Sequence, residues 1–273
     1  MQYRRELEAA LEAAERAGEI MDRYRENGVD VKDTKSSHLD LVTAADHECQ
    51  DEIVEKLSNE FPQDGFIGEE NLDDSDSNRV WIIDPIDGTT NFQRGFPYFC
   101  TSIALRIDGE MAVGVVHSPE TGINRTFAAV QDYGAFEIVD GEKKEISVSD
   151  QSSLRGAMAV VTEDEHMPRL QPLNREVQKR MLDNGGQLRH MVAGALDISL
   201  VAAGVFDVTL QHCMTWDMAA ASVILREAGG KIDVHDRKAD SYLELVASNG
   251  DITGDFVELY EVGKHETGLL FDP

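Results

Sequence analysis

The chain has 273 residues, with 52 acids against 25 bases and a formal charge of −27 at pH 7, and a field of that sign repels nucleic-acid phosphates and anionic membrane surfaces alike, which excludes both as partners. No apolar run reaches transmembrane length and no signal-like apolar core opens the chain, so the expectation is a soluble, cytoplasmic protein large enough to bury an ample core. Cys49, Cys100 and Cys213 are odd in number and widely spaced, as suits reduced, buried thiols rather than a disulfide framework.

In chain order, Leu7, Ala10, Leu11, Ala14, Ala17 and Met21 recur at helical spacing, predicting a helix over residues 1–25 that Gly28 closes. Residues 42–61 predict a second amphipathic helix. Strands then crowd together at residues 66–67, 80–83, 98–107, 110–117, 124–130 and 135–138, with Asp108-Gly109 marking a hairpin. The polar stretch 140–145 is the nearest thing to a break, and it divides the chain into an N-terminal α+β unit, 1–140, and a C-terminal α/β unit, 141–273. The second half alternates: a strand at 157–162, helices at 175–184 and 196–203, a strand at 205–210, a helix at 218–228 ending on Gly229-Gly230, strands at 232–234 and 245–247, and a closing helix through 256–260. Alternating strands and helices predict a layered sandwich of helices and sheets, mixing α/β and α+β organisation.

The run Trp81-Ile82-Ile83-Asp84-Pro85-Ile86-Asp87-Gly88-Thr89-Thr90-Asn91-Phe92 carries the chemistry. An apolar strand ends where Pro85 removes a backbone donor and bends the chain away. Asp84 and Asp87 can then converge on one hard cation, with the carbonyl of Ile86 as a neutral oxygen ligand. Gly88 allows close backbone approach, and the amides of Gly88 and Thr89 form an anion-binding nest for a phosphate. Each residue type in Asp-Pro-x-Asp-Gly favours a turn on its own account. Two further acidic clusters outweigh the plain-turn reading: Gly68-Glu69-Glu70 after the strand-like Phe66-Ile67, and Trp216-Asp217 at the start of an apolar helix. An acid at a helix start also suits capping, Glu70 suits a solvated neighbour of Glu69, and His212 beside Cys213 suits structural roles on opposite faces of a strand.

These motifs, with Trp216-Asp217-Met218-Ala219-Ala220, Glu227-Ala228-Gly229-Gly230, Lys35-Ser36, residues 40–46 and Ala247-Ser248-Asn249-Gly250, stand in an order that resembles the inositol monophosphatase family over nearly the whole chain. The resemblance implies two coupled subdomains, a homodimer, and a Mg²⁺-dependent phosphomonoesterase acting on a small-molecule phosphate ester. It assigns Glu69, Asp84 and the Ile86 carbonyl to a first Mg²⁺, and Asp84, Asp87 and Asp217 to a second. A third ion would lie near Glu69, with Asp46 acting through water. Glu69 and Thr89 would orient the attacking water, and Asp87, Gly88, Thr89, Gly194 and Gln211 would meet the substrate.

Where the family carries Arg-Ser-x-Gly-Ser/Thr-Ala-Ala, this chain has Arg189-His190-Met191-Val192-Ala193-Gly194-Ala195. The glutamate of inositol-selective members falls on Gln211 with a short gap, or on Leu210 without one. Inositol monophosphate is therefore the first expectation and fructose 1,6-bisphosphate the second, with histidinol phosphate and nucleotide 3′-phosphates below them. A non-catalytic binding protein would be expected to have a damaged ligand set, and none of these residues is missing.

The acids are dispersed, as in Glu6, Glu8, Glu12, Glu15 and Glu19 or Asp73, Asp74 and Asp76, rather than gathered in one tail. Such a surface resembles that of proteins from high-salt cytoplasm. Raising KCl from about 0.1 M to about 1 M shortens the screening length from about 10 Å to about 3 Å, and the melting temperature is expected to rise with it; a melting curve indifferent to salt would contradict this.

Overall fold

The computed structural model describes residues 2–27, 44–70, 72–73, 77–162, 168–237 and 242–268. Gly28, Lys35, Ser36, Asp40, Asp74 and Asp76, named above, lie outside them. In chain order the elements are α1 (Arg4–Asn27), α2 (Ala44–Glu60), β1 (Gly65–Gly68), β2 (Leu72–Asp73), β3 (Arg79–Asp87), α3 (Thr89–Arg94), β4 (Cys100–Ile107), β5 (Glu110–Ser118), β6 (Arg125–Val130), β7 (Ala135–Val139), β8 (Glu142–Glu145), β9 (Met158–Val161), α4 (Gln171–Asp183), β10 (Gln187–Arg189), α5 (Gly194–Ala202), β11 (Val208–Met214), α6 (Thr215–Glu227), β12 (Lys231–Arg237), β13 (Tyr242–Ser248) and α7 (Thr253–Thr267).

The strands form two sheets. The first has the order β2-β1-β3-β4-β5-β6-β7-β8, antiparallel except for β1 with β3. The second has the order β10-β9-β11-β13-β12, with its first three strands parallel. Helices α1 and α2 cover one face of the first sheet, and α5 and α6 lie between the two sheets. Helices α4 and α7 cover the far face of the second. The result is a sandwich of alternating helix and sheet layers, the predicted class.

Period-two alternation feeds the layers. Along β3, Trp81 and Ile83 join the core under α1 and α2, while Val80 and Ile82 join the core around α5 and α6. On α1, Leu7, Ala10, Ala14, Ala17 and Met21 are buried at the predicted spacing, and Glu8, Glu12, Glu15 and Glu19 are exposed. His212 hydrogen-bonds Asn174 of α4 through Nε2 at 2.8 Å, while Cys213 lies in the central core between the sheets. The pair thus faces opposite ways.

Three expectations are corrected. Pro85 does not end its strand: β3 runs on to Asp87, because the register with β4 shifts between Asp84, opposite Ser102, and Asp87, opposite Cys100. Pro85 and Ile86 form a bulge opposite Thr101, where a missing donor breaks no ladder bond. The break expected at 140–145 falls inside the first sheet: residues 142–145 form its edge strand β8, and Asp140-Gly141 is the turn that carries the chain into it. The third concerns the strand expected at 205–210, which begins at Val208 and runs to Met214.

Between β10 and α5 the backbone makes a turn at Val192, whose φ is 59°. The left-handed region costs a residue with a Cβ roughly 1–2 kcal/mol, and β-branching adds crowding. Asn91 holds the turn closed, its Nδ2 donating to the carbonyls of Tyr98 and Met191 at 2.8 Å each. Val192→Gly is expected to stabilise the protein by about 1 kcal/mol, strain relief exceeding the added chain entropy of glycine. Equilibrium denaturation checks this, and a lower midpoint in the variant would show that Val192 is not strained.

Candidate active site

The bulge in β3 decides where its acids point. In a regular strand, residues three apart face opposite sides of the sheet. One extra residue between Asp84 and Asp87 restores both to the same side, the side on which α5 and α6 begin. Asp84 is buried, and its Oδ1 has no hydrogen-bond partner. Asp87 accepts the Gly194 amide on Oδ1 at 3.1 Å and the Ala195 amide on Oδ2 at 2.8 Å, with Cys100 Sγ 3.6 Å from Oδ2. Those amides open α5, so the helix dipole also favours the charge.

Asp217 stands in the first turn of α6 and accepts the Met214 amide on Oδ2 at 2.7 Å. It caps its helix and still acts electrostatically on Asp84. Glu69 follows β1, whose residues pair in parallel with β3, so Gly68 sits opposite Ile83 and Glu69 arrives beside Asp84. The two carboxyls act on each other, each shifting the other's pKa. Asp46, on the first turn of α2, is buried and raises the pKa of Glu69 and of Asp84.

The pKa values register this crowding. Asp84 is pushed well above the usual carboxylate range by burial first, then by Glu69, Asp87, Asp217 and Asp46. Glu69 is raised to about 8, by desolvation and then by Asp46 and Glu70. Residue Glu69 as a whole opens to solvent, which weakens both the desolvation and the repulsion from its neighbours. Asp87 is raised to about 6 by burial, against the lowering pull of the Ala195 amide, Cys100 and the Gly194 amide.

Among the described residues no three His, Cys, Asp or Glu side chains are already arranged as a closed metal cage. The donor chemistry nonetheless fits a hard divalent cation: all the converging groups are oxygens, they are mutually repelling, and one buried carboxylate oxygen has no partner. The Ile86 carbonyl accepts the Thr89 hydroxyl at 2.8 Å, which leaves one of its lone pairs. Gly88, with φ 86°, precedes α3; a Cβ there would lie 3.0 Å from the Tyr98 carbonyl oxygen and 3.1 Å from Ala193 Cβ. Only glycine serves that crossing comfortably.

On the other side of Asp87, a Cβ at Gly194 would lie 3.5 Å from Gln211 Oε1 and 3.9 Å from Asp217 Cβ. Gln211, not Leu210, therefore faces Gly194, and Leu210 lies in the core under α4 and α7. Glu70 departs from expectation. Its side chain is only 7% exposed, His47 Nδ1 is 3.4 Å from its Oε2, and Gln50 bonds both its amide and its carbonyl. It is a packed residue that braces the Glu69 turn.

Sequence reasoning missed Asp197. It is fully buried on α5 and accepts Tyr98 Oη on Oδ1 at 2.6 Å and Gln211 Nε2 on Oδ2 at 3.0 Å. Burial raises its pKa to about 8 against the pull of those bonds. The signal was a single acid inside the apolar run Ala195-Leu196-Asp197-Ile198, since an unpaired charge has no place there.

Comparison with known proteins identifies the family. The model of the inositol monophosphatase family matches residues 2–255. A protein of Pasteurella multocida named Nus factor SuhB is 35% identical over 83% of this chain and 84% of its own length. A Thermotoga maritima protein named fructose-1,6-bisphosphatase/inositol-1-monophosphatase is 32% identical over 88% of this chain and 90% of its own. The solved structure of a Thermotoga maritima IMPase superposes with a TM-score of 0.84 at 30% identity, covering 96% of this chain and 99% of that one. With its layered fold and its carboxylates gathered where two helices begin, the chain belongs to the inositol monophosphatase family, whose members are metal-dependent phosphatases acting on phosphoric monoesters.

Proposed function

We propose that the chain is a Mg²⁺-dependent phosphatase of small polyol or sugar phosphates, with inositol monophosphate as first substrate and fructose 1,6-bisphosphate as second. The observation that carries this reading is the buried, unpartnered Oδ1 of Asp84 among carboxylates that repel it. A buried anion in that state calls for a cation. The dual name of the Thermotoga maritima relative supports keeping the bisphosphate. The homodimer and the cytoplasmic setting belong to the same proposal; among the described residues no helix is long and apolar enough to cross a membrane.

Glu69, Asp84, the Ile86 carbonyl, Asp87 and Asp217 would hold two Mg²⁺ ions, and a third would lie near Glu69 with Asp46 acting through water. When bound, such ions neutralise phosphoryl charge and acidify water. The chain's own groups do the rest. Thr89 spends its hydroxyl proton on Ile86, so its oxygen is left as an acceptor that can orient a water. Glu69 offers the second acceptor. The amides of Gly88 and Thr89 would receive phosphate oxygens, and Gly194 and Gln211 would meet the alcohol portion. No covalent intermediate is required, because phosphoryl transfer is accelerated mainly by positioning and charge neutralisation.

The test is phosphate release from inositol 1-phosphate and fructose 1,6-bisphosphate, side by side, at high KCl with Mg²⁺. Turnover is expected for the unmodified chain, and Asp87→Asn is expected to lose about a hundred- to a thousandfold with its melting temperature retained, on the scale of removing one electrostatic contributor. Full activity in the variant, or none in either protein, would overturn the proposal.

Stability should report the same crowding. Glu69 and Asp87 keep protons in the cation-free folded state up to about 8 and about 6, whereas the unfolded chain loses them near 4. Their contribution is therefore present below the unfolded values and lost as pH rises to about 8. In EDTA the melting temperature is expected to fall across that window, and Mg²⁺ should restore it most at the alkaline end. Glu69→Gln should flatten the decline, and an unchanged slope in that variant would remove Glu69 as its source.

A further inference from the structure

Gln211 reaches the site through an amide, and an amide can present either an oxygen or two N–H donors. Which of them a ligand meets is decided here by groups behind it. Gln211 Nε2 donates to Asp197 Oδ2 at 3.0 Å and to Thr209 Oγ1 at 2.6 Å, so both its hydrogens are engaged. The other Asp197 oxygen takes the Tyr98 hydroxyl at 2.6 Å. All four residues are buried, and Asp197 shows no exposed surface at all. Gln211 Oε1 is left facing Gly194, where the missing side chain opens a gap about one methyl group wide between this oxygen and Asp217. Asp197 takes one donor on each oxygen, an arrangement that favours its ionised form; against that carboxylate a flipped amide would aim Oε1 lone pair against lone pair and leave a buried oxygen unpaired.

We infer that Asp197, braced by Tyr98, is a positioning residue that fixes Gln211 as a hydrogen-bond acceptor toward the substrate, so that the site selects esters carrying a hydroxyl beside the Gly194 gap. This deepens the phosphatase reading and rests on it. Both oxygens of Asp197 are taken by Tyr98 and Gln211, so in this proposal Asp197 reaches the substrate through Gln211. The bonding pattern also predicts a reciprocal exchange. Asp197→Asn removes the constraint on the amide, since an asparagine accepts as readily as it donates. Adding Gln211→Glu restores a single sense of donation, with the introduced asparagine amide as donor and a carboxylate oxygen again facing the gap.

The experiment compares inositol 1-phosphate with p-nitrophenyl phosphate, an ester with no hydroxyl to place. In Asp197→Asn, KM for inositol 1-phosphate is expected to rise about tenfold, the size of one mispaired polar contact, while kcat and the aryl-ester KM stay within about twofold. Tyr98→Phe should act in the same direction but more weakly, and the double variant Asp197→Asn with Gln211→Glu should recover most of the lost selectivity. Melting temperatures identify any variant that fails to fold, and the recovery in the double variant is a readout that a merely structural role would not give. Equal losses on both esters, or no rescue, would overturn the positioning role while leaving the phosphatase reading intact. Absence of turnover of either ester by the unmodified chain would remove both.

Discussion

Like charges repel by about 4 kcal/mol per pair at 4 Å in surroundings of effective dielectric 20, and Glu69, Asp84, Asp87 and Asp217 are drawn together from three separate parts of the chain. The fold opposes that repulsion with whatever neutral dipoles it has. Two amides at the start of α5 hold Asp87, and one amide at the start of α6 holds Asp217. None of these reaches Asp84 Oδ1. The helices of the central layer thus start where the negative charge is densest, as their dipoles favour, yet one oxygen remains that a divalent cation would satisfy and a dipole does not.

Much depends on a single extra residue in β3. Without the bulge at Pro85 and Ile86, strand alternation would send Asp84 and Asp87 to opposite faces, one toward α1 and α2 and the other toward α5 and α6. With it, both acids face the central layer while Ile86 still packs in the outer core. Proline is what makes such a bulge cheap, since it has no donor to leave unpaired. The same local device turns the Ile86 carbonyl out of the ladder, where Thr89 finds it.

The layered class and the element order were legible because the long amphipathic helices and apolar strands carry their periods in the residues themselves. The acids of the site were legible for a different reason, namely that carboxylates at strand ends and at helix starts have few other uses together. The failures were places where tertiary pairing overrides local preference. A polar segment such as Glu142–Glu145 becomes a strand only because β7 offers it an edge, and Pro85 reads as a terminator until the register of β4 is known. Asp197 was readable in principle, as an acid inside an apolar helix, but its partners Tyr98 and Gln211 lie 99 and 14 residues away. Nothing in the local pattern of α5 names them.

The two halves of the site are mounted on different sheets. The phosphate and cation side hangs on β1 and β3 of the first sheet, with Asp217 brought in by α6. The alcohol side hangs on β11 of the second sheet and on the segment leading into α5. Asn91, on the phosphate side, ties the two by holding the Val192 turn, and Asp87 ties them again through the α5 amides. Changes at Val192, Ala193, Gly194 or Gln211 therefore reshape the surface that meets the alcohol, while the carboxylates keep their backbone support in β3. An arrangement of this kind separates what is cleaved from what is recognised: the phosphoryl chemistry depends on the bulge and its neighbours, and the identity of the ester depends on which way one buried amide points.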